Sequence, residues 1–406
     1  MGDRKLWIAA AAVAVLAIII VIGLQPREAG VASPSGSPTG SSSGTPGASP
    51  STVGSVGSTA SASAAGIPTG TYNDDFGFVL TEPGQGTTTS TRRESGTRLG
   101  SFDQAQFAVS PDGRQIAWFT PFSAQPQQLR VASASNVTQS QVLRTVGATE
   151  RGGAIVWSND ASGLLYVVST TDNPPGPGPE TPSIYTVHTF DLRGTTDRVV
   201  LTSTIRGLVY QPYAWDRAAN LAAVGETGGG GFLGSYDVIR FNGTEAVTTK
   251  TAIGPPAGEM LAFSVSASSD AKLILGGSFA NGRSLVWWPL AEFGARQTIP
   301  GSINSLWRPN THEIATIGGC AGDPACGPNG GVRLLDVDKG TSRIVYGASI
   351  ANMNLRVFRA DGSALFIYAP QIPGGGTYDY TLVPLSGAPP ITFKEVNGLL
   401  ASVRLR

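Results

Sequence analysis

The chain is short of the residues that most often carry chemistry. Its 406 residues include two cysteines, two histidines and three methionines. Two thiols and a nearby imidazole are too few for a structural zinc centre, which takes four ligands. Neither His188 nor His312 lies in a motif with a serine or cysteine nucleophile, so no nucleophile–base pair is read, and packing or surface roles are expected for both. Charge is scarce too. Asp, Glu, Lys and Arg make up 14% of the chain, and the formal net charge is zero, which argues against a nucleic-acid footprint. Past the N-terminus few stretches carry a 3.6-residue apolar period, and 53 glycines and 28 prolines interrupt the chain every few residues. What remains is an all-β chain.

One long apolar run exists. Leu6 to Leu24 is 19 residues without a charge, a proline or a polar side chain, close to the roughly 20 needed to cross a bilayer and longer than the roughly 7–15 of a signal-peptide core. An uncleaved single-pass anchor is the favoured reading over a cleaved signal. Arg4 and Lys5 precede the run while Arg27 and Glu28 cancel after it, so the N-terminus stays cytoplasmic and the rest is exported. Residues 1–29 are read as stub and anchor, and residues 30–71, rich in Ser, Gly, Pro and Thr, as a disordered linker that cannot bury enough surface to order itself. Its flexible-chain reach is about 35 Å. Gly40-Ser41-Ser42-Ser43-Gly44 matches the nucleophile-elbow spacing, but with no strand before it and no helix after it the match carries nothing.

Residues 72–406 hold a repeat. Phe107-Ala108-Val109-Ser110-Pro111-Asp112-Gly113 leads through Arg114 and Gln115 into Ile116-Ala117-Trp118, a strand, a tight turn and a second strand. Pro111 presets φ, Asp112 bonds nearby backbone and Gly113 accepts positive φ. The pattern returns around Ser158-Asn159-Asp160, Asp216-Arg217, Asp270, Pro309-Asn310 and Asp361-Gly362, at a period of about 41 to 57 residues. Four short strands fill such a unit, the signature of a propeller blade. The Ser-Pro-Asp-Gly turn followed by Ile-Ala-Trp resembles the repeat of TolB-like β-propellers, also found in prolyl-oligopeptidase-type proteins. Ser110 to Gly113 match it closely, Arg359 to Gly362 come next, and the other copies are degenerate. The resemblance implies the fold and leaves function open.

Six repeats occupy about Gln104 to Thr392. Phe76–Leu80 and Thr88–Glu94 at one end, and Leu399–Leu405 at the other, are left to pair into a composite blade that closes the ring. Seven blades are therefore expected in preference to six. Trp157, Trp215 and Trp307 fall at equivalent positions and read as blade-packing residues. The connections between second and third strands are long, and all emerge on one rim, where binding commonly sits on a rigid scaffold. Phe122, Phe232, Asp323 and Tyr378 are the candidate binding residues of that rim. Cys320 and Cys326, with five residues between them in one of its loops, are expected to form a disulfide in an exported chain. Asp336-Val337-Asp338 resembles a calcium loop only superficially, lacking its other ligands. Asn136-Val137-Thr138 and Asn242-Gly243-Thr244 match the glycosylation sequon.

No catalytic, metal or cofactor site is expected. The functional expectation is a membrane-anchored, extracytoplasmic propeller binding a protein or a cell-envelope polymer through its rim loops. The alternative is an extracellular hydrolase or lyase acting on a polysaccharide or peptide. Carboxylates converging within about 5–10 Å at one end of the channel would mark the enzyme.

Overall fold

The computed structural model describes residues 73–406 apart from 82–87, 171–183, 204–208, 228–232, 243–244, 252–260, 279–283, 293–294, 301–303, 318–330, 348–352 and 371–376. The apolar run 6–24, the linker, both cysteines, Phe232, Asp323 and part of the second sequon lie outside the described residues. Among the described residues no helix is long and apolar enough to cross a membrane.

The described strands form seven antiparallel four-stranded sheets, the blades of a closed propeller. Blades 2 to 7 span residues 106–145, 150–202, 209–251, 261–300, 305–347 and 354–397, each a meander of strands a to d. The a strands of consecutive blades lie side by side around the axis. Blade 1 is composite: Phe76–Thr81, Thr88–Arg93 and Arg98–Asp103 are its strands b, c and d, and Leu399–Arg404 supplies strand a. The register runs from Phe76 opposite Arg404 to Thr81 opposite Leu399. The seven-bladed ring with terminal-strand closure is the architecture expected of the repeat. The strand Arg98–Asp103 was not anticipated.

Closure is reinforced on both sides. The Arg404 N–H donates to the Gly113 carbonyl of blade 2 at 2.8 Å, and the Leu405 N–H donates to the Asp75 carbonyl at 2.8 Å. Toward blade 7, Arg359 grips Glu94 with two hydrogen bonds of 2.8 and 3.0 Å.

The repeat turn explains why each a strand reverses where it does. Ser110 Oγ donates to Asp112 Oδ1 at 2.6 Å and accepts the Gln115 N–H at 2.9 Å, while Asp112 Oδ1 accepts the Arg114 N–H at 3.1 Å. Ser158 with Asp160 and Ser268 with Asp270 repeat this staple. The carboxylate satisfies backbone donors that the hairpin leaves open. Gly113 sits at φ 75° and Gly362 at φ 74°, but the matching residues of blades 3 and 5 are Ala161 at 55° and Ala271 at 59°. The a–b turns of blades 3 and 5 thus hold an alanine Cβ in a region it disfavours, and those of blades 4 and 6 place Asn220 at 53° and Asn310 at 59°.

Apolar side chains collect between blades rather than in one centre. Seven clusters of buried residues are found among the described residues, and each joins two neighbouring blades. The repeated tryptophans belong to these boundaries. Trp157 Nε1 donates to the Ala108 carbonyl of blade 2 at 3.1 Å, and Trp307 Nε1 to the Ser266 carbonyl of blade 5 at 3.2 Å. Trp215 packs so closely on blade 3 that a Cβ at Gly163 would lie 2.7 Å from its ring. Each ring fills a boundary while its N–H finds an acceptor or its face a cation, as with Arg217 5.1 Å above Trp215.

Candidate functional site

In a four-stranded meander the a–b and c–d turns emerge on one face, and the b–c and d–a connections on the other. An open cavity of about 820 Å³ lies on the tight-turn face, lined by the a–b turns of blades 3 to 6 with one c–d residue at each end, Arg193 and Asp338. It adjoins a smaller space of about 260 Å³ whose walls include Val109, Val156, Ala214 and Ala267 of the a strands, and the two share Asn159 and Ser269. A polar mouth thus leads to a largely apolar channel wall.

The mouth is built by side chains that reach across blade boundaries. Asn159 Nδ2 donates to Asp216 Oδ1 of blade 4 and to the Asp270 carbonyl of blade 5, each at 3.0 Å, while its Oδ1 accepts the Arg217 N–H at 3.1 Å. Arg217 donates to Asp191 at 3.0 Å and to the Ser162 carbonyl at 3.2 Å. The Asn310 N–H donates to Ser269 Oγ at 2.8 Å. His312 stands between Asp270, 3.1 Å from its Nε2, and Asp338, 2.9 Å from its Nδ1.

These contacts set the protonation states. Burial pushes the Asp160 carboxyl up, but hydrogen bonds from Ser162 and Ser158 and the Arg217 charge outweigh it and hold the group below the usual carboxylate range. Asp270 is likewise pushed up by burial and brought below that range by Ser268, the Lys272 N–H and His312. Burial works against charge on His312, and the two carboxylates overcome it and raise its pKa. The mouth therefore holds paired charges of both signs. Those standing furthest into solvent are Arg193, 74% exposed, at the blade 3 end and Asp338, 66% exposed, at the blade 6 end.

The residues expected to bind lie elsewhere. Phe122 is in the b–c connection of blade 2, 48% exposed, with the Arg151 guanidinium 5.5 Å from its ring. Tyr378 begins strand c of blade 7 and packs on Tyr368 at 5.3 Å and Tyr380 at 5.9 Å. Both belong to the b–c rim, on separate blades, and neither lines the cavity. Phe232, Asp323, Cys320 and Cys326 fall outside the described residues. Asp336 and Asp338 of the calcium-like fragment are taken by Lys339 and His312.

His188 has the packing role expected of it. It is buried, stacked on Tyr166 at 5.1 Å, beside Arg144 of blade 2 and Asp197. Arg144 reaches over this boundary to Tyr166, Asp197 and Glu150, a polar seam between blades 2 and 3.

Arg193, Arg217, Asn159 and His312 were not foreseen as neighbours. The available signal lay in the repeat itself: the degenerate turns of blades 3 to 6 line the cavity, and the two best-matching turns, in blades 2 and 7, do not.

No family model and no curated protein matches the sequence. Among solved structures, TolB from Acinetobacter baumannii is 13% identical with a TM-score of 0.41, over 81% of this chain and 66% of that one. An oligogalacturonate lyase in complex with manganese is 13% identical with a TM-score of 0.49, over 82% and 91%. An acylaminoacyl peptidase of Pyrococcus horikoshii is 13% identical with a TM-score of 0.48, over 80% and 51%, so the chain spans about half of that enzyme. These similarities concern the fold alone, a seven-bladed β-propeller.

Proposed function

We propose that this chain is a membrane-tethered, extracytoplasmic propeller that binds a protein partner through the mouth of its tight-turn face, with the b–c rim as a second surface. The observation that carries the reading is the state of the mouth. Three carboxylates, two guanidiniums and an imidazole meet there, and each is engaged by a neighbour. Such paired, mixed charge favours electrostatic matching of a partner over proton transfer. The described lining of the cavity has no Phe, Tyr or Trp, the adjoining space being walled in part by Trp157, Tyr213 and Trp215, and its charged mouth favours a protein over an envelope polymer. The apolar run Leu6–Leu24 and the linker after it support tethering at the cell membrane with the propeller exported.

The enzyme reading has one observation in its favour: Asp160, Asp270 and Asp338 do line one cavity. Against it, a glycosidase acid needs a raised carboxyl pKa, whereas Asp160 and Asp270 are held low. His312 has a carboxylate on each nitrogen, which favours its charged form, and the charged ring has no lone pair to act as a base.

Cross-linking of the full-length chain in its own membranes tests this. The pair Arg193→Ala with Asp338→Ala is compared with the rim pair Phe122→Ala with Tyr378→Ala. A cross-linked protein that falls about tenfold with the cavity pair and persists with the rim pair supports the reading, about tenfold being the effect of losing roughly 1.4 kcal/mol of charge matching. Recovery of glycan instead, indifference to the cavity pair, or substrate turnover abolished by Asp338→Asn would overturn it. Release from membranes in a carbonate wash would overturn the tether.

A further inference from the structure

Blade boundaries are held by apolar side chains and by polar ties. Among the described residues the boundary between blades 5 and 6 holds four buried apolar side chains, Leu275, Leu285, Trp307 and Ile314. The other six hold between seven and eleven. Polar ties add to the holding at such a boundary. On the tight-turn face two such ties cross this boundary: the Asn310 N–H to Ser269 Oγ, and His312 Nε2 to Asp270.

The second tie has a condition attached. A carboxylate only accepts, so the contacts of His312 with Asp270 at one nitrogen and Asp338 at the other both need an N–H. Only the imidazolium has two. A neutral ring keeps one and turns a bare lone pair toward the other carboxylate. Asp270 is also bonded by Ser268 Oγ at 2.7 Å and the Lys272 N–H at 3.2 Å, whereas Asp338 faces the ring with both oxygens, at 2.9 and 3.1 Å. The neutral ring has one N–H for two carboxylates and no charge, so the tie to Asp270 across the boundary loses its charge assistance, and it is lost outright where the proton stays with Asp338.

We propose that His312 is a proton-operated clasp between blades 5 and 6, closed when the ring is charged and released when it gives up a proton, which loosens one wall of the recognition cavity and makes it more negative. The neighbouring charged groups have partners of their own. Lys272 pairs with Asp270, Lys339 with Asp336, and Glu313 with Arg308 and Arg343. Asp160, Arg193 and Arg217 stand across the cavity. Of these groups only an imidazole ordinarily changes charge between about pH 5 and 8. Its raised value moves the release to the alkaline side of 6.5. The tie is complete below the ordinary value and is lost as pH rises through the raised one. The clasp stands on its own geometry; only its consequence for a partner rests on the function proposed above.

Two histidines in the whole chain make the test direct. Carbon-labelled histidine in the full-length protein gives two ring signals, and His312→Asn assigns them. The His312 signal is expected to titrate above the ordinary histidine midpoint, and Asp338→Asn to move that midpoint down. Protection of the Asn310 amide, its exchange rate taken relative to that of a free amide at the same pH, is expected to fall about tenfold across the midpoint. In His312→Asn it should be low at every pH. A midpoint at or below the ordinary value, or protection at Asn310 that ignores the midpoint, would overturn the clasp. No partner is needed in this measurement, so it can fail while the binding function stands.

Discussion

The contact between Glu94 and Arg359 joins residues 265 positions apart and fastens the composite blade to blade 7. The Glu94 side chain is 2% exposed and that of Arg359 15%, and the guanidinium also lies 5.1 Å from the Phe76 ring. Replacing Glu94 by Gln keeps the shape and removes the charge. Breaking a buried pair by losing one partner costs roughly 3–5 kcal/mol, because the other charge stays buried. The amide can still accept one hydrogen bond, which returns about 1 kcal/mol, so a net loss of about 2–4 kcal/mol is expected. The unfolding entropy of a folded unit of about 330 residues is roughly 0.7 kcal/mol/K, and Tm should therefore fall by only about 3–6 °C. Urea titration gives the free energy directly and scanning calorimetry the shift. Glu94→Leu combined with Arg359→Met should recover most of the loss, since an apolar pair of similar volume replaces both charges. A single substitution within about 1 kcal/mol of the parent, or a double one as poor as the two added together, would refute the role given to this pair.

Other outcomes follow from the same structure. Gly152→Ala should destabilise by about 1–3 kcal/mol, because its Cβ would lie 2.2 Å from a ring carbon of the fully buried Phe119; urea midpoints check it. Ala161→Gly should be neutral or stabilise by up to about 1 kcal/mol, the relief of a left-handed Cβ outweighing the flexibility gained by the unfolded chain. In acid, the contribution of Asp160 and Asp270 is complete above the ordinary carboxylate pKa and is lost as pH falls through their lowered values. Asp160→Asn should therefore flatten the dependence of the urea midpoint on pH between 7 and 3, and an unchanged slope would count against the pairing. A bridge between Cys320 and Cys326 would add about 2 Da on reduction, and an unchanged mass would exclude it.

The ring was legible in the sequence because it repeats. Pro, Asp and Gly at fixed offsets between apolar runs mark the hairpins, and the strands left over at each end announce their own pairing. Arg98–Asp103 escaped notice because only Phe102 in it is buried, so no alternation marks it. The cavity escaped for a different reason. Its side chains meet across 26 to 111 residues of sequence, as in His312 with Asp338 and Asn159 with the Asp270 carbonyl, and no local pattern encodes such a meeting. The degeneracy of the turns was nonetheless informative. Asn159 replaces the consensus proline, and its amide is what laces three blades together. Arg217 and Ser269 stand at the same place in blades 4 and 5, whereas blade 6 keeps the proline as Pro309 and its His312 falls two residues after Asn310. In a propeller, decay of the turn motif over consecutive blades can mark a working surface rather than drift.

The composite blade also decides how the molecule takes a pull. Any tension delivered through the chain before Asn73 arrives at Phe76, the start of a strand paired on both sides, with Leu399–Arg404 on one flank and Thr88–Arg93 on the other. Drawn along its own axis, that strand must slide past both neighbours at once, so its hydrogen bonds are loaded together in shear rather than one after another as in peeling an outer strand. The opposite end of the chain is locked into the same sheet, with Leu405 bonded to Asp75. A pull on the chain before Asn73 is thus borne first by blade 1, and the four blades that form the cavity are reached only through it.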